Sequence, residues 1–321
     1  MNRILFLFLC ICLSGCKAAT TDISAVEISN RLIRAKLYLP DAERGYYQGT
    51  RFDWSGNMPS LEYKGHQYFG QWFPEYDPKL HDAICGPVEN FTEIGYQQAE
   101  VGGEFLRIGV GGLKKDDTRF NNFKLYPISN PGKWTIKKSA NQVIFIHEVK
   151  DVAGYSYHYT KTVRLTEGKP ELVLEHTLKN TGKKAIKTDV YNHNFFTIDN
   201  EPTGPNVVIR FPFEVSGRWN RADSPVIIEG NTIRYPRLFE RNETVFMGDM
   251  LGHSQSVKDY DFRIENIRTG AGVRIIGDRP IAKINYWASS TTSCPEPFID
   301  IDVQPGEQFT WKTTYEFYTL P

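Results

Sequence analysis

Short segments of alternating apolar and polar residues, punctuated by Gly, Pro, Asn and Asp, recur along most of this chain, and helical periodicity is nearly absent. A period of two turns successive side chains to opposite faces, so such segments are read as half-buried strands. Residues 143–149, 155–165, 172–178, 187–196, 207–213, 272–276, 282–288 and 309–318 all fit this pattern. Tyr155, Tyr157 and Tyr159 fall on one face of their segment. Turn clusters such as Glu167-Gly168-Lys169-Pro170 and Asn180-Thr181-Gly182-Lys183 separate neighbouring strands. No repeat, low-complexity tract or long linker divides residues 24–321. The expectation is an all-β chain forming one large antiparallel β-sandwich domain.

The first residues follow another logic. Arg3 precedes the apolar run 4–13, and Ser14 and Gly15 lead into Cys16. That run is too short to cross a hydrocarbon layer of about 30 Å as a helix. Its positive start, apolar middle and small-residue exit are those of an export signal. Leu13-Ser14-Gly15-Cys16 resembles the lipobox of bacterial lipoproteins. The resemblance implies removal of residues 1–15, diacylation of Cys16 and a membrane anchor in the bacterial cell envelope, the outer membrane being the expected site. Residues 16–23 would then be a short tether. The alternative is an ordinary signal peptide cut near Ala18 or Ala19.

Charge and cysteine usage narrow the function. Basic and acidic residues balance at 38 each, without the basic excess expected of a nucleic-acid partner. An aromatic content of 13% suits β structure and sugar-stacking surfaces. Beyond Cys10, Cys12 and Cys16 the chain holds Cys85 and Cys294, which an oxidising compartment would permit to pair if geometry allowed. Neither Cys-x-x-Cys nor His-Glu-x-x-His occurs, so no zinc site is expected. The glycine-rich stretch 109–115 lacks the phosphate-loop patterns and reads as a hairpin or bulge. His147, His158 and His176 sit in strand patterns and read as hydrogen-bonded structural histidines. Asn90-Phe91-Thr92 and Asn242-Glu243-Thr244 match a glycosylation acceptor pattern, which has no meaning in a bacterial lipoprotein.

Two motifs carry chemistry. In Tyr191-Asn192-His193-Asn194-Phe195-Phe196, a strand places Asp189, Tyr191, His193 and Phe195 on one face, and Val190, Asn192, Asn194 and Phe196 on the other. Burying Asp, Tyr and His without partners is costly, so the first face is expected to line a wet cleft. There an imidazole is suited to proton transfer near neutral pH. A structural histidine bonded to a carbonyl or carboxylate remains the other reading. Further on, Cys294-Pro295-Glu296-Pro297-Phe298 sets a glutamate between prolines, which by itself reads as a surface turn.

The first motif resembles the Asn-His-x-Tyr-Phe element of the aldose 1-epimerases, also called galactose mutarotases, with Phe195 in place of the tyrosine. The second resembles the Cys-x-Glu-Pro-aromatic element of the hexose-6-phosphate and related epimerase branches, followed here as there by a last strand opening with Pro-Gly-Glu, at Pro305, Gly306 and Glu307. The similarity spans most of residues 24–321. It implies the galactose mutarotase-like supersandwich and a cofactor-free isomerase that interconverts anomers of an aldose or related sugar. It also implies catalytic roles for His193 as general acid and Glu296 as general base. The family's upstream His-Gly-x-x-Arg pattern is missing. Arg51, His81 and Arg107 are the nearest candidates for substrate binding, and the departure leaves open a uronate, a deoxy sugar or an oligosaccharide end. A non-catalytic carbohydrate-binding lipoprotein, and more remotely a lyase- or hydrolase-related domain, are compatible with the same fold. The expected partners are a mono- or oligosaccharide and the membrane; oligomeric state is not legible.

Overall fold

The structure, a computed structural model, describes residues 23–321. The expected signal, Cys16 and the tether up to Asp22 lie outside the described residues. Nearly all regular structure is β, and the strands pair antiparallel in four sheets. The ten-stranded sheet runs in the spatial order Ile227–Glu229, Thr232–Arg234, Val207–Arg210, Asp261–Asn266, Ala271–Gly277, Gln308–Thr319, Glu171–Asn180, Tyr155–Leu165, Gln142–Val152, Lys133–Lys138. A five-stranded sheet has the order Thr244–Met247, Lys283–Ser289, Ser293–Val303, Ile186–Phe195, Gly86–Phe91. Ala25–Ser29, Ile33–Tyr38, Ser60–Tyr63 and His66–Gln67 form a third sheet, and Glu104–Arg107, Gly111–Lys114 and Ile128–Asn130 a fourth. The all-β sandwich expected from the alternating pattern is therefore the fold found.

The alternating segments all become strands, with ends displaced by at most three residues. The expected strand at 207–213 stops at Arg210, ahead of Pro212, which lacks an N–H for the ladder. The 109–115 stretch is a hairpin, pairing Arg107 with Gly111 and Glu104 with Lys114. Two site-bearing strands were not legible as such. Gly86–Phe91 is buried at every position, so no alternation exists to be read. Ser293–Val303 contains Pro295 and Pro297, and the expectation of a turn there is corrected. Prolines two residues apart lack N–H groups on the same side of a strand, so the ladder on its other side survives.

One apolar cluster, including Tyr159, Val163 and Leu174 from the large sheet and Val190, Ile299 and Ile301 from the small one, fills the space between them. A second cluster holds Phe52, Trp54, Phe105, Phe195, Cys85 and Cys294. Both cysteines are free and buried, and the Cys294 thiol donates to the Asn194 carbonyl at 3.0 Å.

A charged network is sealed between the two large sheets. Lys161 and His176 from the ten-stranded sheet meet Glu89 from the five-stranded one, all without exposed side-chain surface. Lys161 Nζ donates to Glu89 and to the Ser55 carbonyl at 2.9 Å, and lies 3.9 Å from Asp53. His176 Nε2 and Asn192 Nδ2 reach Glu89 Oε1 at 2.9 and 2.8 Å. Tyr159 and Ser55 hydroxyls donate to Asp53 at 3.0 and 2.7 Å. Burial favours a protonated Glu89, but Lys161 and His176 outweigh it and hold the carboxyl below its ordinary value. Gly56 and Gly109, at φ +80° and +78°, approach so closely that a Cβ would collide with Lys161 and Asp53 respectively. His147 is satisfied at both nitrogens, by the Pro131 carbonyl and the Tyr157 hydroxyl, each at 2.9 Å, whereas Nδ1 of His176 has no protein partner.

Removing one partner of a buried ion pair strands the other charge in a low dielectric. Lys161→Met is expected to cost about 3–5 kcal/mol, read as a lower midpoint in urea unfolding; a midpoint unchanged from wild type would show that the network does not hold the sheets together.

Candidate functional site

A cavity of about 370 Å³ lies on the face of the five-stranded sheet turned away from the large one. Strand alternation puts the chemistry there. On Ile186–Phe195, Tyr191 and His193 line the cavity, while Asn192 reaches the charged network and Asn194 accepts from Tyr315 at 2.8 Å. On the neighbouring strand Glu296 and Phe298 face the cavity, with Asn285 and Trp287 one strand further. Asn90 comes from the opposite side of the central strand, paired in register with Tyr191. The cleft-facing assignment of the histidine face thus holds for Tyr191 and His193. Asp189 binds Lys283 at 2.9 Å near the sheet margin, and Phe195 is fully buried.

Packing fixes the imidazole. The His193 ring stacks on Phe195 at 3.9 Å and meets Trp287 and Phe52 edge-on at 5.3 and 5.7 Å. Trp72 in turn stacks on the far side of this aromatic group, 4.5 Å from Phe195. His193 Nε2 lies 3.2 Å from Glu296 Oε1, and Nδ1 has no partner in the protein. Both residues are nearly inaccessible, at 3% and 4% exposure. Burial, reinforced by the charge of Arg51, pushes the imidazole well below its ordinary value. Burial lifts Glu296 to about 7, against the opposing pull of Arg51 and Asn285. Desolvation thus disfavours the charged form of both groups.

A hydrogen-bonded chain runs along the wall. Arg51 pairs with Asp82 and donates from Nη2 to the Tyr191 hydroxyl at 3.3 Å. Its guanidinium lies over Phe52 and Phe123, at 4.6 and 4.8 Å from their ring centres. Asn90 Nδ2 donates to the same hydroxyl at 3.1 Å, and Asn90 Oδ1 accepts from Arg107 at 2.5 Å. With two donors aimed at its oxygen, Tyr191 keeps its own proton free to donate to a ligand. Burial would raise Asp82, but its bond to His81 and the charge of Arg51 hold it low and ionised.

Arg51, Arg107, His193 and Glu296 all line the one cavity. His81 does not line it. Its Nε2 sits 3.1 Å from Asp82, one step behind Arg51, and its ring packs edge-on against Phe123. The group that reaches the cavity from that stretch is Asp82. Asn90, Asn122, Asn285, Trp287 and Phe123 also line the cavity and were not singled out by sequence reasoning. No local pattern marks them; only strand pairing and loop placement do. Among the described residues no cluster of three or more His, Cys, Asp and Glu side chains is placed to hold a metal ion.

Comparison with known proteins gives the fold and no more. No family model matches the sequence, and no curated protein matches it. Solved structures do match. A putative aldose 1-epimerase from Escherichia coli K12 aligns over 93% of this chain and all of its own, with a TM-score of 0.56 and 13% identity. An aldose epimerase homologue from C. elegans aligns over 94% and 100%, with a TM-score of 0.58 and 12% identity. A galactose mutarotase-like protein from Clostridium acetobutylicum aligns over 94% and 96%, also with a TM-score of 0.58 and 12% identity. The chain shares the galactose mutarotase-like β-sandwich of these neighbours.

The charge of Arg51 favours an ionised Glu296. Arg51→Met is expected to raise the carboxyl further above about 7, measured as the midpoint of its carbon resonance in an NMR titration. A midpoint that stays or falls would show that the guanidinium does not act on it.

Proposed function

We propose that this chain is a sugar epimerase of the aldose 1-epimerase type, opening and reclosing the ring of an aldose or related sugar. The observation that carries this reading is the 3.2 Å contact between one imidazole and one carboxyl group on the wall of an aromatic-lined cavity. Inversion at C1 needs one base and one acid. A proton leaves the anomeric hydroxyl, the bond from C1 to the ring oxygen breaks with its electrons passing to that oxygen, and the oxygen takes up a proton. Rotation about C1–C2 and the reverse steps give the other anomer. The anomeric and ring oxygens are bonded to the same carbon, so an acid and a base in contact can reach both. The sugar then lies across the His193–Glu296 pair, since a 3.2 Å gap admits no ring between its members.

The competent form of this pair carries one proton, to give at one oxygen, and one free lone pair, to take at the other. With a neutral imidazole, Glu296 holds that proton up to about pH 7. The resemblance assigns it to His193 instead; the two arrangements differ by one transfer across the contact. Tyr191, Arg51 and Asn285 supply hydrogen bonds to hydroxyls, and Trp287 and Phe298 supply faces for the C–H side of a sugar.

A non-catalytic sugar-binding protein is the second reading. The observation that favours it is the 3% and 4% exposure of His193 and Glu296, which leaves each little open surface toward a ligand. Anomer exchange separates the two readings. Freshly dissolved α-anomers followed by proton NMR should equilibrate faster with the protein, and His193→Ala and Glu296→Gln should each lower the catalysed rate roughly 10²- to 10⁴-fold. Sugar binding without any rate enhancement in the wild type would establish the binder instead.

The pH dependence has a definite sign. Raising pH through about 7 strips the pair of its last proton, so kcat/KM should be flat below and fall about tenfold per unit above. A rate that climbs through the same range would show that ionised Glu296 acts as a base alone. Because the folded state holds this proton more tightly than the unfolded chain, its stabilising effect is complete below the ordinary value of 4.5 and is lost as pH rises past about 7. Glu296→Gln should therefore be more stable than wild type at pH 8, by about 3 kcal/mol in denaturant unfolding.

We place the protein at a bacterial envelope membrane through a diacylated Cys16, on the strength of Leu13-Ser14-Gly15-Cys16. Wild type expressed in a bacterium should incorporate labelled palmitate and sediment with membranes, whereas Cys16→Ser should do neither. Equal labelling of both would remove the anchor from the account.

A further inference from the structure

Arg107 is the one guanidinium lining the cavity that no carboxylate contacts. Its side chain is 2% exposed, and no salt bridge within 4.0 Å joins it to any Asp or Glu among the described residues. Both of its hydrogen bonds come from Nη2, to the amide oxygens of Asn90 at 2.5 Å and Asn122 at 2.6 Å, and Nε has no partner. Phe120 lies under the group, its ring centre 5.6 Å from Cζ. Arg51, the other arginine of the cavity, is by contrast committed to Asp82.

A buried cation held by neutral amides is costly unless something else completes it. The fork geometry of guanidinium matches a carboxylate, and such a pair adds orientation as well as energy. The acceptors that position Arg107 are uncharged, so they aim the group into the cavity without quenching it. Asn90 also bonds the Tyr191 hydroxyl, which ties the placement of Arg107 to the wall that carries His193.

The geometry points to an acidic sugar as the ligand of this cavity, with a carboxylate seated on Arg107 while the ring lies against His193 and Glu296. This deepens the epimerase reading and rests on its premise that the cavity takes a sugar. A carboxylate fits better than a phosphate ester for a reason of charge. Arg107 has no carboxylate in contact, but Glu93, which lines the same cavity and whose charge acts on it, offsets part of the positive field, so a dianion is disfavoured more than a monoanion. The ligand class is therefore a hexuronate or a similar singly charged sugar acid.

Calorimetric titration of the full-length chain in detergent would compare galacturonate and glucuronate with galactose and glucose, and with the two hexose 6-phosphates. At least one uronate should bind about tenfold or more tightly than its parent hexose. That ratio should collapse toward one in Arg107→Met. It should also collapse in Asn122→Asp, which keeps the arginine and sets a carboxylate beside it, so the test survives if the first variant does not fold. No uronate preference in wild type, a preference that persists in either folded variant, or tighter binding of a 6-phosphate than of the uronate would each overturn the assignment. Anomer exchange measured on the same sugars keeps the two claims apart. Turnover of a neutral hexose without uronate preference would sink this inference and leave the epimerase standing, and Arg107-dependent uronate binding without exchange would do the reverse.

Discussion

Everything around the cavity depends on how one strand divides its side chains between a dry interior and a wet face. Ile186–Phe195 sends Asn192 inward to Glu89, and Glu89 is bound by Lys161 and His176 of the opposing sheet. A charge so deeply buried tolerates little displacement, because each bond lost leaves an unpaired ion in a medium of low dielectric. The strand is thereby held against the large sheet with its register determined. A slip of one residue would exchange the two faces, putting His193 into the core and Asn192 into the cavity. Gly56 and Gly109 belong to the same arrangement, since their missing Cβ atoms let loop backbone close over Lys161 and Asp53.

On the wet face, burial does the electrostatic tuning. A neutral imidazole and a carboxyl near 7 are what desolvation produces when the strongest nearby charge, Arg51, is itself paired with Asp82. The stacking of His193 on Phe195 fixes ring position without using either nitrogen, so Nδ1 stays unpartnered and Nε2 meets the carboxyl. A group destabilised in its charged form is a better proton carrier near neutral pH than one left in water, and it lowers the stability of the fold in exchange.

The alternating strands were legible because one of their faces is buried and the other is not, so the two-residue period survives in the residues themselves. Tyr155–Leu165 is recovered with its ends unshifted. Gly86–Phe91, enclosed on both faces, carries no such period, and it was also the strand that brings Asn90 to the site. The proline pair around Glu296 misled for a different reason. Proline usually marks turns, and only the pairing of Ser293–Val303 reveals that both missing N–H groups fall on one side. His81 and Asp82 make the same point at close range. Sequence reasoning picked out His81 alone, and backbone direction put the adjacent aspartate at the cavity wall and the histidine behind it.

Sequence alone determined the all-β class, the two faces of the strand bearing His193, and the pair of short motifs whose resemblance marks His193 and Glu296. Those are local properties, set by side-chain period and residue type. The tertiary structure decided that the two groups touch, that burial disfavours the charged form of each, and that Arg107 faces the cavity with no carboxylate in contact. Each of these depends on distances between segments far apart in the chain and on how much water their packing excludes. Neither quantity is encoded at any single position.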